Sequence, residues 1–421
     1  MPIDLIIHSA NQVLTLAGPA PKRGQAQSDL GILRNGAIAI EGERIIAVGD
    51  TLDLLGLAGP ETRKIDARGK IILPGLVDAH THVVFAGDRA GEFEMRLQGA
   101  TYLEIQQAGG GIMSTVRATR AASVDDLVAQ SAVRLAHMLA HGTTTAEVKT
   151  GYGLDLTNEV KLLKVISLLD AQQPIDLVPT FLGAHVVPEE FKGREDEYVD
   201  SIIDGMLPVI RTSNFDFRFP GLYCDVFCDQ GAFTFEQTRK ILTHAKDLGF
   251  GLRVHADEFA NLGAAALAAE LGAASADHLM VTRREEMRKM AEAGVTAVLL
   301  PGTTFGLGQT RFSDGRAFIE ENVPVALGSD INPGTCWCES IPFIVALACR
   351  YEGLTPAEAI AAATINAAAS LGVASEVGSL ESGKLADIAI ADVPDYSHLA
   401  YRFGANPIET VVKRGRIVSG S

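Results

Sequence analysis

Basic side chains are in short supply: 36 Lys and Arg stand against 52 Asp and Glu, a net charge of −16. Proteins that grip nucleic acid neutralise phosphates with clustered cations, so no nucleic-acid partner is expected. Adhesion to anionic lipid is disfavoured for the same reason. Any acidic ligand has to be captured by a local cation against the global field. Cysteine is sparse too. The five residues Cys224, Cys228, Cys336, Cys338 and Cys349 are odd in number and contain no C-x-x-C, which excludes a secreted disulfide scaffold. Reduced thiols in a cytoplasmic protein are the expectation. No apolar run reaches the ~18 residues of a membrane helix. The opening Met-Pro-Ile-Asp-Leu-Ile-Ile-His has no basic region followed by an apolar segment, so neither a signal peptide nor a membrane partner is expected.

What is present is a globular composition, 47% hydrophobic and 21% charged, which rules out wholesale disorder. At 421 residues the chain has room for one large α/β barrel, about 250 residues in such folds, plus a smaller companion. The first ~70 residues read as short strands. Asp4–Leu16, Ala37–Val48 and Lys70–Leu73 are rich in Ile, Val and Leu and are separated by turn residues. Pro19 and Pro21 interrupt them with an exposed loop. Strand character returns near the other end, at Ala386–Ala391 and Thr410–Val418. A β-sandwich assembled from both termini, residues 1–73 and 374–421, explains the likeness of the two ends.

From residue 74 to 373 short β-branched runs alternate with amphipathic helices, the pattern of repeated βα units. Eight apolar runs end in polar residues: Leu76–His82, Thr143–Lys149, Leu177–His185, Tyr223–Asp229, Gly251–Asp257, Ser275–His278, Thr296–Pro301 and Pro324–Asp330. Helices are expected at Val124–His141, Asn158–Ala171, Thr234–Leu248, Leu262–Leu271, Arg283–Ala293 and Thr355–Leu371. Eight strands, each generally followed by a helix, predict a (β/α)8 TIM-type barrel. A doubly wound sheet lacks support, because Gly109-Gly110-Gly111 follows no strand and reads as a mobile loop.

Side chains at the carboxyl ends of barrel strands converge on one mouth. Here those ends carry His80, His82, Lys149, His185, Asp229, His255 with Glu258 close behind, His278 and Asp330. Five of the ten histidines occupy these positions. His80 and His82, two apart on a strand, face the same way and can reach one cation. With His255 and Asp330 they make a His3Asp set, whose nitrogen content suits zinc or iron better than calcium or magnesium. His8, His137, His141, His244 and His398 lie away from the mouth and take no role. Cys224 and Cys228 are expected to pack inside the barrel.

Ile72-Leu73-Pro74-Gly75-Leu76-Val77-Asp78-Ala79-His80-Thr81-His82 resembles the opening motif of the amidohydrolase superfamily, and Gly378–Ile388 resembles its closing motif. Within it the chain is similar to the imidazolonepropionase family. The matching stretches are His141–Thr145, Glu147–Leu154, Phe181–His185, His255–Glu258, Ala276–Leu279 and Asn332–Thr335. The resemblance implies a metal-dependent hydrolase that opens the ring of 4-imidazolone-5-propanoate to N-formimidoyl-L-glutamate in histidine degradation. It implies one zinc or iron ion held by His80, His82, His255 and Asp330, and a homodimer. Binuclear relatives often carry a bridging lysine at the end of strand four, which here ends Val226-Phe227-Cys228-Asp229. Lys149 ends strand two instead, where a structural ion pair is its expected role.

In that chemistry Asp330 accepts the proton of the attacking water. His278 or the metal stabilises the oxyanion, and Glu258 shuttles a proton to the leaving nitrogen if burial raises its carboxyl. Glu258 also contacts the substrate. The small anionic imidazolone carries a propionate, which guanidinium matches bidentately. The family comparison assigns that task to Arg89, in the loop after strand one. Tyr152 is positioned to donate its phenol to a substrate oxygen, and His185 to hydrogen-bond the ring. Asn332, Gly334 and Thr335 are expected to cup the new carboxylate. The nearest rival is a superfamily deaminase of a purine, pyrimidine or related ring, which gives no reason for an arginine at the mouth. A non-catalytic barrel is disfavoured because every candidate ligand, Glu258 and His278 are present.

Overall fold

The computed structural model describes residues 3–420. At its centre eight parallel strands run in sequence order: β1 (Leu76–Asp78), β2 (Thr143–Lys149), β3 (Asp176–Ala184), β4 (Tyr223–Cys228), β5 (Gly251–Ala256), β6 (Ser275–His278), β7 (Thr296–Leu299) and β8 (Val325–Leu327). The segments continuing from β1 and β8 close the ring. Asp330 N–H donates to His80 O at 3.0 Å, and His82 N–H donates to Ile331 O at 2.9 Å. Gly328 makes that closure possible, since a Cβ there would stand 2.8 Å from His80 Cβ and 2.9 Å from its backbone nitrogen. The result is the expected (β/α)8 barrel with its carboxyl ends at one mouth.

The barrel helices begin where their caps dictate. Val124–Ala140 and Phe235–Asp247 each open on a capping box, Ser123 with Asp126 and Thr234 with Gln237. Thr355 and Glu358 do the same, with Pro356 at the first helical position. That helix does not run to Leu371. It stops at Ala362, Thr364 leaves helical geometry (φ −137°, ψ −97°), and a second helix spans Ile365–Ser370. An alanine-rich periodicity does not register a single residue turned out of line.

The companion unit is two sheets. One orders Arg44–Asp50, Gly36–Glu41, Leu5–Ala10 and Arg63–Asp66; the other orders Arg416–Ser419, Ile408–Lys413, Ile388–Ala391, Ile71–Pro74, Gln12–Leu14 and Ile32–Leu33. Ile7, Ile38 and Ile40 from one sheet share an apolar core with Val13, Ile72, Ile388 and Val412 from the other. Both termini contribute, as expected for a sandwich. The expected single strand Asp4–Leu16 is in fact two, Leu5–Ala10 and Gln12–Leu14, one in each sheet, parted at Asn11, with the first distorted at Ser9 (φ 63°). Ala37–Val48 likewise divides into a hairpin turning at Gly42. Residues 17–20 are the exposed loop foreseen around Pro19.

The Gly109–Gly111 run, read as a mobile loop, joins two helices and is held by Glu92, which accepts from Gly111 N–H at 3.1 Å and from Ser114 Oγ at 3.2 Å. All five cysteines are free thiols, and Cys224 and Cys228 are buried on β4. Among the described residues no helix is long and apolar enough to cross a membrane.

Candidate functional site

The barrel mouth gathers buried imidazoles. Ring centroids of His80 and His255 are 4.6 Å apart, His255 and His278 5.2 Å, and His82 and His185 5.1 Å in a stack. Asp330 Oδ1 lies 3.4 Å from His80 Nε2 and 3.5 Å from His82 Nε2. Two metal-competent triads share His80: one adds His82 and Asp330, the other His255 and His278. The expected ligand His255 therefore groups with His80 and His278 rather than with Asp330.

The chemistry of these donors fits a divalent cation. His255 Nε2 is a buried polar atom with no protein partner, an arrangement costly without a further ligand. Burial, and the neighbouring Lys149 ammonium, push His80 well below the usual histidine range. Burial does the same to His82 and His278, with the surrounding imidazoles adding to it. All three are neutral at pH 7, the form that coordinates metal. The imidazole nitrogens and carboxylate oxygen match zinc or iron.

Carboxylates beneath the mouth orient the rings. His80 Nδ1 is 2.7 Å from Asp277 Oδ2, and His255 Nδ1 is 2.9 Å from Asp225 Oδ2. The sequence reading missed both aspartates. Asp225 stands three residues before the end of β4 and Asp277 one before the end of β6, and which face those positions take is visible only once strand register is known. Thr303, also missed, donates its hydroxyl to Asp330 Oδ2 in a short hydrogen bond, which leaves Oδ1 toward the imidazoles. Burial raises the Asp330 carboxyl to about 6. Asp330 (φ 52°) and His278 (φ 74°) both hold left-handed backbone, a strain that clusters where side chains must be aimed.

Glu258 sits near this group, its Oε1 3.7 Å from His278 Nδ1. Burial pushes its carboxyl well above the usual range, and the negative charges of Asp330 and Asp229 add to the effect. Asp229 does not face the mouth as a reactive group. Its two oxygens accept the backbone N–H groups of Phe259 and Ala260, at 2.8 and 3.0 Å, and so anchor the loop that carries Glu258.

The remaining candidates line the approach. Tyr152 is buried with its ring 5.9 Å from His82 and 5.5 Å from His185. Burial and the Asp330 charge hold its phenol protonated. His185 Nδ1 is 3.0 Å from Gly151 O, leaving Nε2 for another partner, and burial lowers its pKa to about 3. Arg89 reaches the mouth paired with Glu92, Nη2 to Oε2 at 2.8 Å. Asn332 behaves differently from the expected cup. Its Oδ1 already accepts from Gly334 N–H at 2.9 Å and Thr335 N–H at 2.8 Å, so these donors shape the loop in this state. Lys149 is fully buried between Glu147 and Asp225, 2.7 Å from each.

A family model described as "Amidohydrolase family" matches residues 71–418. An imidazolonepropionase of Symbiobacterium thermophilum is 50% identical over 421 residues, covering 99% of this chain and 97% of that one. The imidazolonepropionase of Chloroflexus aggregans is 49% identical, covering 99% of each, and that of Geobacillus kaustophilus is also 49% identical, covering 98% and 97%. Among solved structures, an atrazine chlorohydrolase of Arthrobacter aurescens complexed with zinc and atraton superposes with a TM-score of 0.75 at 20% identity, covering 99% and 95%. Guanine deaminase of E. coli gives 0.73 at 17%, covering 99% of each chain. Likeness at that identity shows the fold alone.

Proposed function

Since the chain belongs to the amidohydrolase family, and within it to the imidazolonepropionases, we infer that it hydrolyses the cyclic amide of 4-imidazolone-5-propanoate to N-formimidoyl-L-glutamate in histidine degradation. The observation that carries the metal-dependent form of this reaction is the convergence of four buried imidazoles and Asp330 at the barrel mouth.

In our reading His80, His82, His255 and Asp330 hold one zinc or iron ion per chain. A divalent ion there supplies Lewis acidity and lets water act as a nucleophile at neutral pH. The protein's own groups do the rest. Asp330 receives the proton of the attacking water, with Thr303 fixing its second oxygen. His278 donates toward the developing oxyanion. Glu258, kept protonated by its buried setting, contacts the ring and delivers a proton to the nitrogen as the C–N bond breaks. Arg89 binds the propionate, and Tyr152 and His185 hydrogen-bond the ring. Asn332, Gly334 and Thr335 close the site over the new carboxylate, which requires the Asn332 loop to exchange one of its internal hydrogen bonds.

The same reading has the protein working in the cytoplasm as a homodimer. The exposed rings of Phe93, Phe305 and Phe403 support an association surface. The deciding experiment compares ring opening of imidazolone propionate with deamination of cytosine and guanine, before and after chelator treatment. Ring opening that is lost with the metal and returns with Zn²⁺ or Fe²⁺ is the expected result. Turnover of the neutral bases in preference would overturn it.

A further inference from the structure

We propose that Lys149 is a positioning residue for the metal ligands, one ammonium that fixes the two carboxylates holding His80 and His255. The proposal rests on the metal-dependent reading of the mouth.

Barrel interiors of this kind are ordinarily filled by branched apolar side chains. Here the layer below the mouth is ionic: Glu147 and Lys149 on β2, Asp225 on β4, Arg253 on β5 and Asp277 on β6 are all inaccessible to solvent. Lys149 Nζ donates to Asp225 Oδ2 at 2.7 Å and reaches Asp277 Oδ2 at 3.5 Å. Those same two oxygens meet His255 Nδ1 and His80 Nδ1. On each arm the lysine and an imidazole therefore share a single carboxylate oxygen.

The third arm also ends at the ligands. Lys149 Nζ donates to Glu147 Oε1 at 2.7 Å, while Glu147 Oε2 accepts the backbone N–H of Thr81, the residue between His80 and His82, at 3.2 Å. From the far side Arg253 donates to Ser275 Oγ at 2.9 Å, and Ser275 donates to Asp277 Oδ1 at 2.7 Å. Asp225 Oδ1 accepts the backbone N–H of His255 at 3.1 Å, so every carboxylate is gripped at both ends.

A stabilising role by itself does not explain this choice. Burying five charges is expensive, and apolar residues of similar volume are commonly as stable or more so. What an apolar core does not provide is a fixed orientation for two carboxylates at once. Asp277 pins His80 through Nδ1, while Asp225 accepts the His255 backbone N–H at 3.1 Å and lies 2.9 Å from its Nδ1; such outer partners commonly change metal affinity about 10–100-fold.

The test is zinc affinity of the metal-free protein, measured by competition with a chromogenic chelator, for wild type, Lys149→Met and Lys149→Gln. Circular dichroism and Tm of each metal-free protein are recorded alongside. We expect both variants to bind zinc about 10–100-fold more weakly than wild type. Folded variants that bind within about threefold of wild type overturn the proposal, whatever their Tm, because a merely structural lysine moves Tm and leaves affinity alone. If neither variant folds, Asp225→Asn, Asp277→Asn and the double variant carry the test. Coupled through one lysine, their effects on zinc affinity depart from additivity; additive effects overturn the idea. Wild type that binds no zinc and opens no ring would instead sink the functional reading, so the two failures are distinguishable.

Discussion

The Arg89 guanidinium is packed against the α-carbon of Gly334: a Cβ added at Gly334 would stand 2.2 Å from Arg89 Nη1. Glu92 holds the other edge of the same guanidinium through Nε and Nη2, both at 2.8 Å. The cation is therefore set between a carboxylate and a bare backbone. Arg89→Ala is expected to raise KM for imidazolone propionate more than it lowers kcat, because the clamp binds a part remote from the reacting bond. Gly334→Ala should raise KM in the same direction by displacing the guanidinium. Steady-state kinetics of both variants check this, and an unchanged KM in Arg89→Ala contradicts the clamp.

Thr303 gives Asp330 a defined orientation. Asp330→Ala should abolish ring opening and weaken zinc retention. Thr303→Val keeps the volume and loses the hydroxyl, and should lower kcat by about 10–100-fold, the usual scale for an outer partner. Full activity in the valine variant would show that Asp330 is aimed by its backbone alone.

Glu258→Gln removes the proton shuttle while keeping shape. With the loop still anchored by Asp229, substrate binding should stay within a few-fold while kcat falls by about 10²–10⁴. A large rise in KM with kcat preserved would assign Glu258 to binding alone.

Asp78 predicts a pH dependence of the metal-free protein. Its Oδ1 accepts the Ser329 N–H at 2.9 Å, but Oδ2 has no partner, and burial raises the carboxyl to about 7. The folded state therefore prefers the protonated form. Stability from this group is fully present below about pH 4 and is lost as pH rises through about 7. Over that window wild type should lose on the order of 1.4 kcal/mol per pH unit relative to Asp78→Asn. Denaturant unfolding of both proteins from pH 4 to pH 8 measures it, and a constant difference would count against the raised carboxyl.

Much of the fold was readable from periodicity. Thr143–Lys149, Tyr223–Cys228 and Ser275–His278 stand within a residue of where β-branched runs and polar ends set them. The helices expected from Val124, Thr234 and Thr355 start within a residue of those positions. Breaks were harder. The step between sheets at Asn11 and the interruption at Thr364 depend on local backbone geometry, which leaves no trace in hydrophobic spacing.

The chain's own order of residues determined the eight-fold strand–helix alternation, the polar strand ends and the histidines that sit there, because burial periodicity and turn chemistry are local properties. Tertiary structure decided which atoms meet: Thr303 on Asp330, Asp225 and Asp277 behind His255 and His80, and Lys149 between those aspartates. Such encounters join residues up to 197 positions apart. They depend on strand register and barrel closure, where a one-residue shift would turn the strand-borne Lys149, Asp225, His255 and Asp277 to the opposite face.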